Sequence, residues 1–300
     1  MANDISWEFY RTFLAVLREG SLSGAARRLG ITQPTVGRHV DLLEAAFGQR
    51  LFTRTQTGLM PTEAAQALHG HAEAMERVAA AMQRAGTGYV EGQVSGTVRV
   101  SASEVVSMEV LPPALAALRR AWPALHIEVV ATNAVQDLLQ REVDIAVRMA
   151  PPKQDALVAR HVGAVAIGLF AHEDYLAQAG TPTREDELAG HALIGYDQET
   201  PFLRAASKAW PGWRRDAFAF RADSDLVQLA LVRAAAGIGG CQVAIARRDP
   251  RLRRVLPRVG FSLDTWIAMH GDLRGSHRHK VVFDALAACL KAHADPPSQA

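Results

Sequence analysis

Apolar positions recur three and four residues apart through the first part of the chain, a spacing that predicts helices. Trp7, Tyr10, Phe13, Leu14 and Leu17 form one stripe, long enough to roof two further helices. Leu22, Ala25, Ala26 and Leu29 form a shorter stripe, which Gly30 ends because glycine takes a left-handed conformation without steric cost. Ile31 fills the corner. Thr32 is placed to cap a third helix, with Pro34 in a first turn where no internal N–H bond is needed. Val36, Val40, Leu43 and the neighbouring Leu42 are expected on its buried side, and Gln33, Thr35, Arg38 and His39 on its polar side.

The run LFTRTQTGLMPT that follows reads as a two-stranded wing, with Thr57 and Gly58 at or near its tip. The whole predicts a winged helix-turn-helix, whose second helix enters the DNA major groove by its N-terminal part. Gln33 suits adenine and Arg38 suits guanine or a phosphate, each good bidentate pair giving roughly 1–3 kcal/mol of discrimination. Arg50, Arg54 and Gln56 would flank the DNA backbone. Ser21, Ser23, Pro34, Thr35 and His39 complete the candidate DNA-facing set. The competing reading is an ordinary helical hairpin with a solvated polar face.

Residues 62–85 read as one continuous helix, interrupted only by Gly70. Ala65, Leu68, Ala72, Met75, Ala79 and Met82 make a heptad seam suited to helix-on-helix dimerisation, or to packing on the protein's own next domain. His69, His71, Glu73 and Arg77 are expected on the opposite, solvated face. A flexible joint is expected over residues 87–92.

From Gly96 onward, strands and helices alternate, which predicts an α/β fold with a mainly parallel sheet. GTVRVSAS, LHIEVVA and VDIAVRM read as strands, with helices over residues 111–121 and 135–141. AVAIGLFA, ALIGY, AFAFRA and the helix SDLVQLALVRAAAG form a second set, and LDTWIAMH with KVVFDALAACL returns to the first. Ligands of such sheets sit beyond the C-terminal strand ends, near helix N-termini. Ser101, Ser103, Thr132, Asn133, Arg148, Ser224 and Gly240 occupy such places. Arg148 with converging hydroxyls would suit a carboxylate or another anion. Equally, Ser103 and Ser224 are placed to cap helices, and Arg148 to pair with Asp144.

The 300 residues suit a small domain plus a larger one, and 49% hydrophobic with 21% charged residues are values of a soluble globular protein. A net charge of +2 supplies no general attraction to nucleic acid, so any DNA contact must come from local placement. Arginine predominates, the first lysine being Lys153; this suits bidentate recognition, and a GC-rich genome would give the same bias. The N-terminus has no secretory pattern, and no apolar run approaches the ~18–20 residues needed to span a bilayer. Cys241 and Cys289 lack metal-ligand spacing and read as buried apolar residues. Together these features point to the cytoplasm, with no membrane partner.

Catalytic motifs are missing from the sequence: there is no GxxxxGK[ST], GxSxG or HExxH. Gly237-Ile238-Gly239-Gly240 follows a helix and reads as a helix stop with close packing, and His270, His277 and His279 as solvated loop residues. No catalytic residue, metal or cofactor is expected.

The chain resembles the LysR-type family of bacterial transcriptional regulators. The resemblance is carried by FLAVLREGSLSGAARRLGITQPTVGRHVDLLE, by the LFTR that follows and by Pro61-Thr62-Glu63. It spans essentially the whole chain and is most specific in the first ninety or so residues. It implies a winged helix-turn-helix over residues 1–61, a linker and dimerisation helix with its joint over 62–91, and an effector domain over 92–300. That domain would have the two-lobed fold of type II periplasmic binding proteins. Lobe I would take about 92–161 and 267–293, and lobe II about 162–266, with crossings near 160–163 and 263–268. The resemblance further implies a homodimer assembling into a homotetramer on near-palindromic double-stranded DNA, a small-molecule effector between the lobes, and RNA polymerase as a further partner. One position departs from the family pattern: Gly37 stands where serine is usual, which costs about 1 kcal/mol of helix stability relative to alanine. A solute-binding protein would share the two lobes but need an export signal and no helix-turn-helix. An enzyme would need a catalytic constellation in the cleft.

Overall fold

The computed structural model describes residues 5–55, 58–86, 89–90, 93–133, 142–152, 156–199, 204, 210 and 212–294. They fall into two compact units, the first ending at Ala85 and the second taking in nearly all of the rest.

The first unit opens with three helices, α1 (Trp7–Glu19), α2 (Leu22–Leu29) and α3 (Gln33–Phe47). Each has a side-chain cap at its start, from Ser6, Ser21 and Thr32, and a left-handed glycine at its end, Gly20, Gly30 and Gly48. Donors and acceptors that a helix end leaves unpaired are thereby satisfied locally, and the chain can reverse within two residues. Phe13, Leu14, Ala25, Val36 and Leu43 make the shared core. Leu42, expected among them, is 41% exposed. It lies one residue, or about 100°, around the helix from Leu43, which puts it past the edge of the apolar stripe.

Strands β1 (Phe52–Thr55) and β2 (Gly58–Pro61) pair antiparallel as the wing. Gly58 has φ of +139°, and a Cβ there would stand 2.5 Å from the Gly20 carbonyl oxygen. Leu59 N–H donates to that same oxygen at 2.8 Å, so the wing base is pinned to the end of α1. Helix α4 (Glu63–Gly86) follows, its first turn capped by Thr62 Oγ1, which accepts from Ala65 N–H at 3.3 Å. Ala65 and Ala72 are buried in the core of the three helices, and Leu68 packs against it. Arg18 of α1 grips Glu76 of α4 through two hydrogen bonds of 3.1 and 2.7 Å.

In the second unit, the expected joint carries a short antiparallel ladder, β3 (Tyr89–Val90) with β4 (Gln93–Val94). Next come β5 (Gly96–Ala102), α5 (Glu104–Glu109), α6 (Pro112–Ala121), β6 (Leu125–Ala131), β7 (Ile145–Arg148), β8 (Leu157–His172) and α7 (Glu173–Ala179). These are followed by β9 (Leu193–Gly195), β10 (Phe218–Arg221), α8 (Asp225–Arg233), β11 (Ile238–Gln242), α9 (Val243–Ala246), β12 (Leu252–His270) and α10 (His277–His293). Helix α5 stands where a loop was expected; its six residues are too few to show periodicity. The expected helix over 135–141 lies outside the described residues.

Strands β5 to β12 form a single sheet in the order β10-β9-β11-β8-β12-β7-β5-β6. Both flanks are parallel, β10-β9-β11 on one side and β7-β5-β6 on the other. The centre is antiparallel, because the two long strands β8 and β12 run through both halves. Residues 157–161 of β8 pair with 266–270 of β12, on the β7 side, while 167–170 of β8 pair with β11. Between these stretches the ladder breaks at Thr265/Trp266, and Gly163 takes φ of +127°. The sheet is therefore mixed rather than mainly parallel, and two lobes share one hydrogen-bonded middle.

Close packing explains the glycine run. A Cβ on Gly239 would stand 2.5 Å from Val232 Cγ2. Gly239 and Gly240 sit within β11 rather than beyond its end. His279 is buried in α10, its Nδ1 2.7 Å from Ser276 Oγ, so it is not a solvated loop residue. Cys241 is buried, and burial pushes its thiol up to about 12, which leaves it unreactive. No described helix is long and apolar enough to cross a membrane.

Candidate nucleic-acid interface and effector site

Recognition would begin at α3. Val36, Val40 and Leu43 hold one face in the core, and this leaves Gln33, Pro34 and Arg38 exposed at the N-terminal end. Thr35 is half-buried, its hydroxyl 2.8 Å from that of the capping Thr32. Ser23 and Arg54 are exposed, and Ser21 caps α2 by accepting from Gly24 N–H at 3.1 Å. Gln56 lies outside the described residues.

Like Ser21 and Thr35, two further members of the expected DNA-facing set, His39 and Arg50, are engaged within the protein. The His39 ring packs on Phe9 with centroids 4.9 Å apart, and its Nδ1 lies 2.9 Å from Thr12 Oγ1. Since the Thr12 hydroxyl donates to the Glu8 carbonyl at 2.7 Å, Nδ1 carries the proton and donates to Thr12. His39 thus locks α3 to α1 rather than standing free on the polar face. Arg50 donates to Glu44 Oε2 at 2.8 Å, so its charge is already met.

The expected dimer seam is corrected by the packing. Ala65 and Ala72 are buried against the three-helix core and are not free to meet a partner, and Leu68, partly buried, packs beside them. The heptad pattern was real, but its first half was satisfied inside the unit. The apolar surface left open is a groove rotated around α4. It is lined by Trp7, His71, Ala74, Met75, Val78, Ala79 and Met82, with Met75 40%, Val78 43% and Met82 70% exposed. His71, expected on the solvated face, lines this groove. Glu73 does lie on the polar side, 3.7 Å from Arg18 and 3.3 Å from His69.

In the second unit, the strand ends of the β7-β5-β6 flank bring several candidates together. Arg148 Nη2 donates to the buried Ser101 Oγ at 3.2 Å, and Nη1 to the Val147 carbonyl at 2.8 Å. Burial disfavours its charge and pushes its pKa below the usual guanidinium range. Asp144 does not pair with it; that carboxylate accepts Arg99 N–H at 2.8 Å and faces His279 at 3.8 Å. Ser103 does cap α5, accepting from Val106 N–H at 3.4 Å.

Ser224 occupies the cap position of α8 without capping it. Its hydroxyl instead donates to Glu104 Oε2 at 2.6 Å, joining the start of α8 to the start of α5. Tyr196 donates to Asp225 Oδ1 at 2.7 Å, and Asn133 also bonds this carboxylate; burial nonetheless pushes Asp225 above the usual carboxylate range. Asn133 Oδ1 in turn accepts Glu104 N–H at 3.3 Å. Thr132 N–H donates to the Ala102 carbonyl at 2.9 Å. Gly240 lies apart from this group, its open side toward Trp210 and Trp213. Sequence reasoning missed Glu104, Asp225 and Tyr196. The available signal was an acid directly after each strand-end serine, in Ser103-Glu104 and Ser224-Asp225.

The description "LysR substrate binding domain" matches residues 91–291, and "Bacterial regulatory helix-turn-helix protein, lysR family" matches residues 7–66. The chain belongs to the LysR family. It is a LysR-type transcriptional regulator with a helix-turn-helix DNA-binding domain and an effector-binding domain, and not an enzyme. Among relatives, it is 28% identical over 296 residues to the probable HTH-type transcriptional regulator LtrA of Klebsiella pneumoniae, covering 93% of each chain. The full-length structure of the Vibrio cholerae virulence activator AphB superposes with a TM-score of 0.61 at 21% identity, over 94% of this chain and 99% of that one. Full-length CbnR complexed with its target DNA gives 0.68 at 18% identity, over 96% of this chain and 100% of that one. Both structures share the LysR-type fold with this chain.

Proposed function

We propose that this LysR-type regulator binds a near-palindromic duplex site as a dimer, with an anionic small molecule setting its DNA affinity. The exposed N-terminal end of α3 carries the reading, because Gln33 and Arg38 are the side chains there able to match base edges. Arg54 on the wing neutralises a backbone phosphate.

Residues 1–61 are the DNA-binding domain, 62–91 the linker with its joint, and 92–300 the effector domain. Lobe I takes 92–161 and 267–293, and lobe II 162–266. Pairing of two chains through the Met75, Val78 and Met82 face of α4 holds two heads at a fixed spacing, and the effector domains extend the dimer to a tetramer. The effector sits between the lobes at Ser101, Ser103, Thr132, Asn133, Arg148 and Ser224. Its carboxylate meets Arg148, whose guanidinium bonds Ser101 and Val147 oxygens among the described residues. Ligand-driven movement of the lobes changes the spacing of the heads, and a coupling of about 1–3 kcal/mol suffices for a several-fold to hundred-fold change in affinity. The protein acts in the cytoplasm, where contact with RNA polymerase completes its output.

The test is retardation of labelled fragments from the gene's own upstream region, with and without metabolite extracts. A band retarded at moderate salt and altered by extract supports the reading; no band under either condition rejects it.

A further inference from the structure

The first unit leaves few of its positive charges free. Among the described residues, Arg11 faces Glu8 at 3.8 Å, Arg18 faces Glu76 at 2.7 Å and Arg28 faces Glu19 at 3.1 Å. Arg50 faces Glu44 at 2.8 Å, and Arg77 faces Glu73 at 3.9 Å. Arg27, Arg38 and Arg54 are exposed and have neither an ion pair nor a hydrogen bond among those residues. A net charge of +2 gives the chain no general hold on a polyanion, so attraction to DNA concentrates where guanidiniums stand free.

All three belong to elements that meet at the start of α2. Arg54 lies opposite Leu59 in the wing, and Leu59 N–H donates to the Gly20 carbonyl at 2.8 Å. Arg38 follows Gly37, where a Cβ would stand 3.8 Å from Leu22 Cδ1. The wing and the recognition helix thus flank residues 20–22. Arg27 stands four residues after the exposed Ser23, in one row along the outside of α2. Helical side chains lean toward the N-terminus, so its guanidinium extends over the first turn of that helix. Arg28, about 100° further round, is turned to α1 and held there by Glu19.

We propose that Arg27 is a further positioning residue of the DNA interface, its guanidinium gripping a backbone phosphate beside the groove that α3 enters. This rests on the reading of α3 as the base-reading helix. The helix before a recognition helix crosses the DNA backbone rather than entering the groove, so its cations meet phosphates and not base edges. A guanidinium fork matches two phosphate oxygens at once, which fixes orientation as well as charge. Arg27 on α2 and Arg54 on the wing then hold the backbone on either side of the start of α2, and Arg38 on α3 is left to the bases.

The experiment uses the full-length protein with a duplex that the wild type selects from a randomised library, and an unrelated duplex of equal length. Arg27→Ala should weaken binding to both about 3–10-fold at 0.1 M salt and lower the salt slope by about one unit, leaving site ranking unchanged. It should melt no lower than the wild type, because alanine is the better helix former. Arg28→Ala removes the same charge from a guanidinium already held by Glu19, and should leave the slope nearly unchanged. Arg27→Lys should restore most of the slope but less of the affinity. Neutral methylphosphonates placed one at a time along the selected duplex should reveal a phosphate that matters to the wild type and not to Arg27→Ala. If Arg27→Ala keeps the wild-type slope, or loses no more than Arg28→Ala, the contact is excluded while the roles of Arg38 and Arg54 stand. If Arg38→Ala and Arg54→Ala also bind unchanged, the reading of α3 falls, and the proposal with it.

Discussion

Glu44, in the last turn of α3, accepts the backbone N–H of Leu51 at 2.8 Å. The same Oε1 accepts Phe52 N–H at 3.2 Å, and Oε2 takes the Arg50 guanidinium at 2.8 Å. One buried carboxylate thus fixes the entry of the wing relative to the recognition helix. Glu44→Ala would leave two N–H groups without their acceptor, at a cost of roughly 1–3 kcal/mol each. The expected outcome is a lower denaturation midpoint, with DNA affinity falling alike on all sites. A variant that keeps wild-type stability and affinity would show the contact to be idle.

Arg38 and Arg54 should separate base reading from phosphate attraction. Arg38→Ala is expected to reorder the affinities of variant operators. Arg54→Ala should weaken all operators alike and reduce the salt slope by about one unit, the value for one phosphate contact. Selection from a randomised site library, followed by salt titrations, checks both. An unchanged ranking in Arg38→Ala would remove it from base readout.

Gly37 is a helix-interior glycine with room beside it. A Cβ there meets only Leu22 Cδ1, at 3.8 Å, an ordinary contact distance. Gly37→Ala should therefore stabilise the protein by about 0.5–1 kcal/mol, the usual glycine penalty in a helix. The reading is a higher urea midpoint at unchanged slope. A fall in the midpoint would mean that the added methyl meets resistance the static packing does not reveal.

Charge placed on opposite sides of α4 should have opposite consequences. Met75→Glu and Val78→Glu alter the open groove and are expected to give folded monomers. Ala72→Glu forces a carboxylate into the core beside α1 and should unfold the DNA-binding unit. Light scattering and circular dichroism distinguish the cases. Unchanged mass for the groove variants would exclude this face from dimer contact.

The pair between Glu109 of α5 and Arg233 of α8 makes a pH prediction. Two hydrogen bonds of 2.7 and 3.1 Å from the Arg233 guanidinium hold the Glu109 carboxyl below its usual range. A carboxylate depressed in the folded state adds stability that is full above its unfolded pKa, about 4.3, and is lost as pH falls through the folded value. Arg233→Gln should therefore melt below the wild type at neutral pH, with the gap closing in acid below about pH 4. The melting temperature against pH reads this directly, and a gap that stays constant with pH would deny the pair its role.

Local chemistry determined much of this protein from sequence. The cap at Thr32, the glycine stop at Gly30 and the apolar stripes fixed the three helices, because those preferences act within a few residues. The strand-end positions of Ser101, Thr132 and Arg148 were legible for the same reason: period-two apolar runs mark where strands stop. Only tertiary structure decided which surface of α4 is left open, since Ala65 and Ala72 show the same spacing whether they face a partner or their own core. It also drew His39 onto Phe9 and Thr12, joined Ser224 to Glu104 across 120 residues, and set Trp266 between Arg148 and His161. Sequence periodicity fixes which residues share a face, whereas the partner of that face depends on contacts distant along the chain.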